Sequence, residues 1–396
     1  MRFLYSAFFA DALLRRVLTY AVVLYGAEVL GKGAWSGVLY VCLVAPYLLS
    51  LYAGGIIDRV ACRTVLQRTS ILSILSMAAL TLCASHTTPL PWIVAFIVLC
   101  YGAVSAFAYP AFMTSVSEIF EPELVKRSTV VMNVLSLLSQ VVGPVVVGVL
   151  RALVGWPEFF VATIVLAVVQ WIALRAVHQT HDNHTRAWGR PLASITPGMA
   201  EVLAYGRKHR TLPTLFLAVA LFSALAIGPL EVLLPLFAAQ TLALHPLAAG
   251  MFVATGGLGL VIGALGAIRI VERANTGLWT LGCAVAGSGA VVLMTTAPRP
   301  IAFALVLAGG ALGGVFSSLS LAGVQAAATN RLRGRVLGIF SLVLGAPPAL
   351  GGAAAGALSD SLGTPVAMRI MFGVVAIAFL VVGATRPALR QPLHQT

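Results

Sequence analysis

"GGIIDRVACRTVL", Gly54 to Leu66, is a short charged break between two apolar runs. Two glycines lead into it, and Asp58, Arg59 and Arg63 follow before hydrophobic residues resume. The runs on either side approach about 20 residues, the length a helix needs to cross a bilayer's hydrocarbon. The same alternation recurs from end to end. Hydrophobic residues make up 60% of the 396, charged residues only 9%, and mean hydropathy is +0.99. A soluble domain carries roughly 25% charged residues, so a chain this poor in charge is built for lipid. Backbone polar groups in hydrocarbon must be satisfied internally, by helices or by a closed barrel. Continuous apolar runs, in place of short alternating ones, exclude the barrel.

Polar and Pro/Gly-rich breaks divide the chain into about twelve predicted spans. They cover 4–28, 36–57, 65–85, 91–115, 128–150 and 158–177, then 211–238, 247–268, 278–297, 301–324, 336–358 and 365–385. The only long interruption is 178–210. The expected layout is a six-helix bundle over 1–177, a linker over 178–210, a second bundle over 211–385 and a tail over 386–396. The halves also read as repeats. "KRSTVVMNVLSLLSQVVGPVVVGVL" (126–150) aligns without gaps on "GRVLGIFSLVLGAPPALGGAAAGAL" (334–358) at an offset of 208, pairing Gly143 with Gly351 and Gly148 with Gly356. The fold class is therefore an all-α membrane protein of two pseudo-symmetric six-helix bundles, an arrangement in which related units rock about a central site.

The formal charge of +13 is dispersed over short loops, which argues against nucleic acid as a partner. Loops on one side hold Arg59, Arg63, Arg68, Lys126, Arg127, Arg186, Arg207, Arg269, Arg273, Arg335 and Arg386, while the other side offers little beyond Lys32, Arg151 and Arg299. Basic loops stay cytoplasmic, so both termini and the central loop are expected there. Arg2 precedes apolar residues as in a leader peptide, but no small-residue cleavage site follows. Five scattered cysteines indicate neither disulfides nor a metal framework.

The loop at Gly54–Arg63 resembles the signature G-x-x-x-D-R-x-x-[R/G]-R of the major facilitator superfamily, and it lies between spans 2 and 3 as in that family. The resemblance implies a cytoplasmic gate at Gly55, Asp58, Arg59 and Arg63, with Arg335 the second-half counterpart of Arg127. The other half's loop, "GALGAIRIVERANT", keeps Arg269 and Arg273 but has no matching Asp. Span 5 ends "SQVVGPVVVG", which looks like the exporter signature G-P-x-x-G-G with Val147 at the first glycine of the final pair. Pro144 removes a backbone donor and Gly143 permits close packing, so these two are the expected hinge. "VQAAATNRLRGRVLGIF" (324–340) and "GMAEVLAYGRKHRTL" (198–212) resemble the enterobactin-exporter-like branch, where a short amphipathic helix precedes span 7. These likenesses imply export of small, amphipathic or metal-chelating molecules. Span 4, "VLCYGAVSAFAYPAF", has no Arg where drug/proton antiporters commonly carry one.

Charges inside spans are the candidate chemistry. In "FADALLRRVLTYAVVLYG" (9–26), only 14 residues separate Arg16 from Lys32's loop, Val17 to Leu30, too short to cross alone. The helix must start before Asp11, which places Asp11, Arg15 and Arg16 at membrane depth, where charge is costly. Asp11 and Arg15 are four apart and can pair on one face, while Arg16 points about 100° away. Either the pair steadies span 1, or it serves transport. Glu231, bracketed by Pro229 and Pro235 in span 7, is the other in-span carboxylate. It is either hydrogen-bonded to a neighbouring span or a proton or substrate group. In the resembled fold, spans 1 and 7 face a central cavity, to which Tyr101, Tyr109 and Arg369 are further candidates. His178, His181 and His184 in "HQTHDNH" have a spacing that suits a metal on a helix, but a polar junction beside a linker reads as a solvated loop. No metal or cofactor is expected. The Gly-rich runs have no strand before them and no Lys-Ser/Thr after them, which argues against nucleotide binding.

The expected protein is a twelve-helix, non-enzymatic, alternating-access transporter of the bacterial inner membrane. It is expected to work as a monomer, with protons and a small-molecule substrate (siderophore, metabolite or drug) as partners and the lipid bilayer as solvent. Asp11 and Glu231 would handle the proton or substrate, tuned by Arg15 and Arg16. The alternatives are an importer of the same fold and a membrane sensor that transports nothing.

Overall fold

The computed structural model describes residues 2–49, 60–86, 88–119, 122–177, 211–271, 276–327 and 333–385. All regular structure among them is helical. In chain order the helices are α1 (Arg2–Glu28), α2 (Gly33–Val44, continued by a 3-10 turn, Ala45–Leu49), α3 (Cys62–Ser85), α4 (Pro91–Ile119), α5 (Pro122–Leu153) and α6 (Trp156–Arg175). Then come α7 (Thr211–Phe222 and Gly228–Leu236, joined by a π-helical Ser223–Ile227 and followed by a π-helical Phe237–Thr241), α8 (Pro246–Val271) and α9 (Thr276–Met294). The remainder are α10 (Arg299–Ala327), α11 (Arg333–Gly345 and Pro348–Leu362) and α12 (Thr364–Thr385).

Among the described residues, ten helices are long and apolar enough to cross a membrane. α1 is longer than most of them, 27 residues or about 40 Å, but carries the three charges. α2 with its 3-10 turn makes a shorter apolar stretch, Gly33–Leu49. Pro46 sits where the α-helical pattern tightens, as expected of a residue lacking the amide hydrogen.

The chain divides into two compact units, Met1–Leu192 with His245–Gly250, and Ala193–Leu244 with Met251–Thr396. In the first, α1 packs against α2, α5 and α6, while α3 packs against α4 and α6. α1 is buried nearly all round, from Leu4 through Phe8, Val17 and Val23 to Tyr25. A helix covered on nearly every face belongs in the middle of a bundle. Its neighbours show one covered face and one open apolar face. On α6 the open stripe is Val161, Val165, Val169 and Ile172, and on α5 it is Val130, Val134 and Leu138. Stripes three and four residues apart, apolar and uncovered, are surfaces made for acyl chains. α1 and α2 meet closely at one end, where Ser36 Oγ donates to the Val23 carbonyl at 2.6 Å beside Gly26.

In the second unit, α7 packs against α11, and α9 packs against α10 and α12. The Gly-rich runs form the close α8–α10 contact, with Gly259 and Gly263 against Leu307 and Ala311, and Gly314 against Leu260. Without a hydrophobic drive between helices in lipid, such backbone proximity supplies the attraction. Phe222 stacks on Phe316 with centroids 3.9 Å apart, and Phe379 meets both edge-on.

The offset of 208 residues that aligns spans 5 and 11 recurs in the helices themselves. It carries Pro91–Ile119 onto Arg299–Ala327, and Trp156 at the start of α6 onto Thr364 at the start of α12. It also carries a contact. Gly143 of α5 lies against Arg16 of α1, and Gly351 of α11 lies against Ala224 of α7, each pair displaced by 208.

Candidate functional site

α1 supplies the charges and four other elements surround them. Asp11 is buried, with 6% of its surface exposed, and Arg15 one turn later reaches back so that Nη2 lies 2.8 Å from Asp11 Oδ2. Oδ2 is close to the guanidinium but not aligned as a hydrogen-bond acceptor, so the attraction is ionic and not a directed bond. Oδ1 takes its hydrogen bond from α6, where Gln170 Nε2 donates at 3.1 Å. Gln170 is only 1% exposed, and its Oε1 has no hydrogen-bond partner among the described residues.

Tyrosines enclose the arginine. Arg15 Cζ lies 5.7 Å from the centre of the Tyr109 ring, within cation–π reach, and Tyr47 of the 3-10 turn is in hydrogen-bonding range. Tyr101 is buried beside them, next to Ser105. Tyr109 is 38% exposed, and its ring centre lies 6.5 Å from that of Phe8. The structure thus brings Asp11, Arg15, Tyr101 and Tyr109 into one cluster. It adds Gln170 and Tyr47, which sequence reasoning missed. A lone amide in the apolar run "AVVQWIAL" is the only sequence signal for Gln170.

Arg16 turns to α5. Its aliphatic stem lies over Gly143, where an added Cβ would sit 2.6 Å from Arg16 Cγ and 2.9 Å from its Cβ. The glycine next to Pro144 is therefore the surface that admits the arginine. α5 continues as a helix through Pro144.

At the far end of α1, Glu28 joins three helices. Arg151 Nη2 lies 3.1 Å from Glu28 Oε2, and the same oxygen accepts from Trp156 Nε1 at 3.2 Å. The Arg151 guanidinium also covers the Trp156 ring at 4.2 Å. At the opposite end, Arg63 Nη2 donates to the Arg175 carbonyl at 2.9 Å, closing the C-terminus of α6 onto the start of α3. Of the other expected gate residues, Gly55, Asp58 and Arg59 lie outside the described residues, as does the side chain of Arg335.

In the second unit, Glu231 is half-buried in the first turn after the π-helical Ser223–Ile227. π-helical turns recur at functional sites. Arg369 is exposed and its Nε donates to Thr295 Oγ1 at 2.8 Å. His178, His181 and His184 lie outside the described residues. Among the described ones, no group of three or more His, Cys, Asp or Glu side chains is placed to hold a metal ion.

The family model described as Major Facilitator Superfamily matches residues 4–332. Among curated proteins, the multidrug efflux pump Tap of Mycobacterium tuberculosis and of Mycobacterium bovis is 28% identical over 266 residues, 64% of this chain. That match spans 60% of the length of those relatives. Among solved structures, a variant of the peptide transporter POT in complex with alafosfalin superposes with a TM-score of 0.77 at 14% identity, over 100% of this chain and 95% of that one. A variant of the nucleoside transporter NupG gives 0.75 at 12% identity, over 96% and 98%. At these identities the likeness is one of fold.

Proposed function

The chain belongs to the Major Facilitator Superfamily, and from that premise we propose that this non-enzymatic transporter is a proton-coupled exporter of a small amphipathic molecule. The observation that carries the reading is the Asp11–Arg15–Gln170 cluster within the first unit. Charge at membrane depth is costly and is kept there for ion or substrate handling. A carboxylate beside one guanidinium, one amide and a tyrosine can become neutral by taking up a proton, and that changes what the arginine sees. The aromatic lining suits an apolar or amphipathic ligand body. The likeness to a multidrug efflux pump supports export of a drug-like molecule, with a siderophore or metabolite as the other classes.

In this reading Asp11 and Glu231 are the proton or substrate groups, and Arg15 and Arg16 tune them. Gly55, Asp58, Arg59, Arg63 and Arg335 form the cytoplasmic gate, and Gly143 with Pro144 the hinge. Both termini face the cytoplasm of a bacterial inner membrane. The working unit is a single chain of two bundles, 1–177 and 211–385, with a linker carrying a short amphipathic helix.

Proteoliposomes holding a panel of fluorescent lipophilic cations and ferric siderophores, with an imposed pH gradient, test this. Efflux that follows the gradient and is lost in Asp11→Asn and Glu231→Gln is expected. Gradient-driven efflux unchanged in both variants refutes the coupling assignment, and uptake without extrusion refutes the direction.

A further inference from the structure

A buried carboxylate that only needed a donor would be served by any hydroxyl or amide N–H. Gln170 brings more than that. Its Nε2 is used on Asp11 Oδ1 at 3.1 Å, while its Oε1, equally buried, accepts nothing among the described residues. Asp11 Oδ2 is in the matching position, near Arg15 but not aligned as an acceptor. A lone acceptor beside a carboxylate gains a donor when the carboxylate carries a proton of its own.

We propose that Gln170 is the positioning residue of the proton-exchange site, its amide fitting both protonation states of Asp11. With Asp11 ionised, Nε2 donates to the carboxylate. With Asp11 protonated, the carboxyl O–H donates to Oε1 after the amide group turns about the Cγ–Cδ bond, a torsion with broad two-fold minima. The proton comes from solvent, one O–H bond forms on Asp11, and otherwise only hydrogen bonds change. Donor-only side chains such as Lys or Arg would hold the charged state alone.

The groups facing Asp11 fit this role. Arg15 approaches from its own helix, and Tyr101 of α4 lies nearby, while Tyr109 and Tyr47 surround Arg15. α5 has no Asp, Glu, Lys or Arg between Ser128 and Leu150. The repeat offset of 208 puts Val219 at the counterpart of Asp11 and Ala378 at that of Gln170, so the pair exists in one unit alone. The inference rests on the reading of Asp11 as a proton-exchanging group.

Infrared difference titration of the purified full-length protein, with isotope-labelled glutamine, tests it without any transport substrate. Asp11→Asn identifies the Asp11 carboxyl band. As that band grows in the unsubstituted protein, one glutamine side-chain carbonyl is expected to move to lower frequency, because Oε1 gains a donor. Gln170→Met should lose that component and shift the Asp11 carboxyl band itself. Titration of Asp11 with no glutamine carbonyl tied to it overturns the inference, and so does an unchanged difference spectrum in Gln170→Met. Should Gln170→Met fail to fold, the comparison of unsubstituted protein with Asp11→Asn decides the matter alone. If no Asp11 band appears between about pH 4 and pH 10, the proton reading itself falls and this inference with it, a failure distinct from titration without a glutamine response.

Discussion

Replacing Arg15 with Met, an apolar chain of similar length, isolates the energetics of the charge cluster. Asp11 would then be left buried with the Gln170 amide still donating to it. Removing one partner of a buried ion pair costs about 3–5 kcal/mol. For a bundle of this size, each kcal/mol lowers the midpoint by about 2–4 °C, so the expected fall is about 6–20 °C. Asp11→Leu together with Arg15→Met removes both charges, a change that is neutral or stabilising at well-packed sites. That double variant still strands Gln170 Nε2 without its acceptor, at about 1–3 kcal/mol. Adding Gln170→Met should remove this last penalty. The expected order of thermal midpoints in detergent, followed by intrinsic fluorescence, is single below double below triple, with the triple near the unsubstituted protein. Transport should be absent from all three. A single variant that unfolds with the unsubstituted protein, or a triple no more stable than the single, refutes the picture of a buried charge pair held by Arg15 and Gln170.

The repeated glycine contacts make a sharper comparison. Gly143→Ala meets Arg16 Cγ, which can turn about χ1, and Arg16 Cβ, which is fixed to the backbone, so α1 and α5 must part slightly; it should cost about 1–3 kcal/mol while keeping a monodisperse peak in size-exclusion chromatography. Gly351→Ala meets the Ala224 carbonyl and the Pro229 ring, neither of which can rotate away, and should sharply reduce folded yield. Glu28 is 43% exposed, so Glu28→Gln should change stability by only about 0–1 kcal/mol, a midpoint shift of a few degrees at most.

Apolar run length was enough to place the helices, because in lipid the backbone has few other solutions. Length arithmetic also put Asp11, Arg15 and Arg16 inside α1, and four-residue spacing put two of them on one face. The partners from other helices were not legible. Gln170 is 159 residues from Asp11 and uncharged, and Arg151 is 123 residues from Glu28. Neither pairing leaves a periodic trace. Several helices outrun the predicted spans, as with Pro122–Leu153 against 128–150, because hydropathy marks the hydrocarbon while a helix can continue into the headgroup region. The π-helical stretches of α7 were also invisible, though Pro229 and Pro235 hinted at loosened backbone there.

The paired contacts at Gly143 and Gly351 differ in what they are made of, and that sets their mechanical compliance. α7 and α11 meet with backbone against backbone, so no torsion is available to relieve a sideways load except in the helices themselves. α1 and α5 meet through the base of an arginine side chain, where Cγ can turn about χ1 while Cβ stays fixed to the backbone. The first unit therefore has one side-chain torsion at this joint where the second has none. Bending of the chain's first bundle should be taken up between α1 and α5, at the helix that carries its charges.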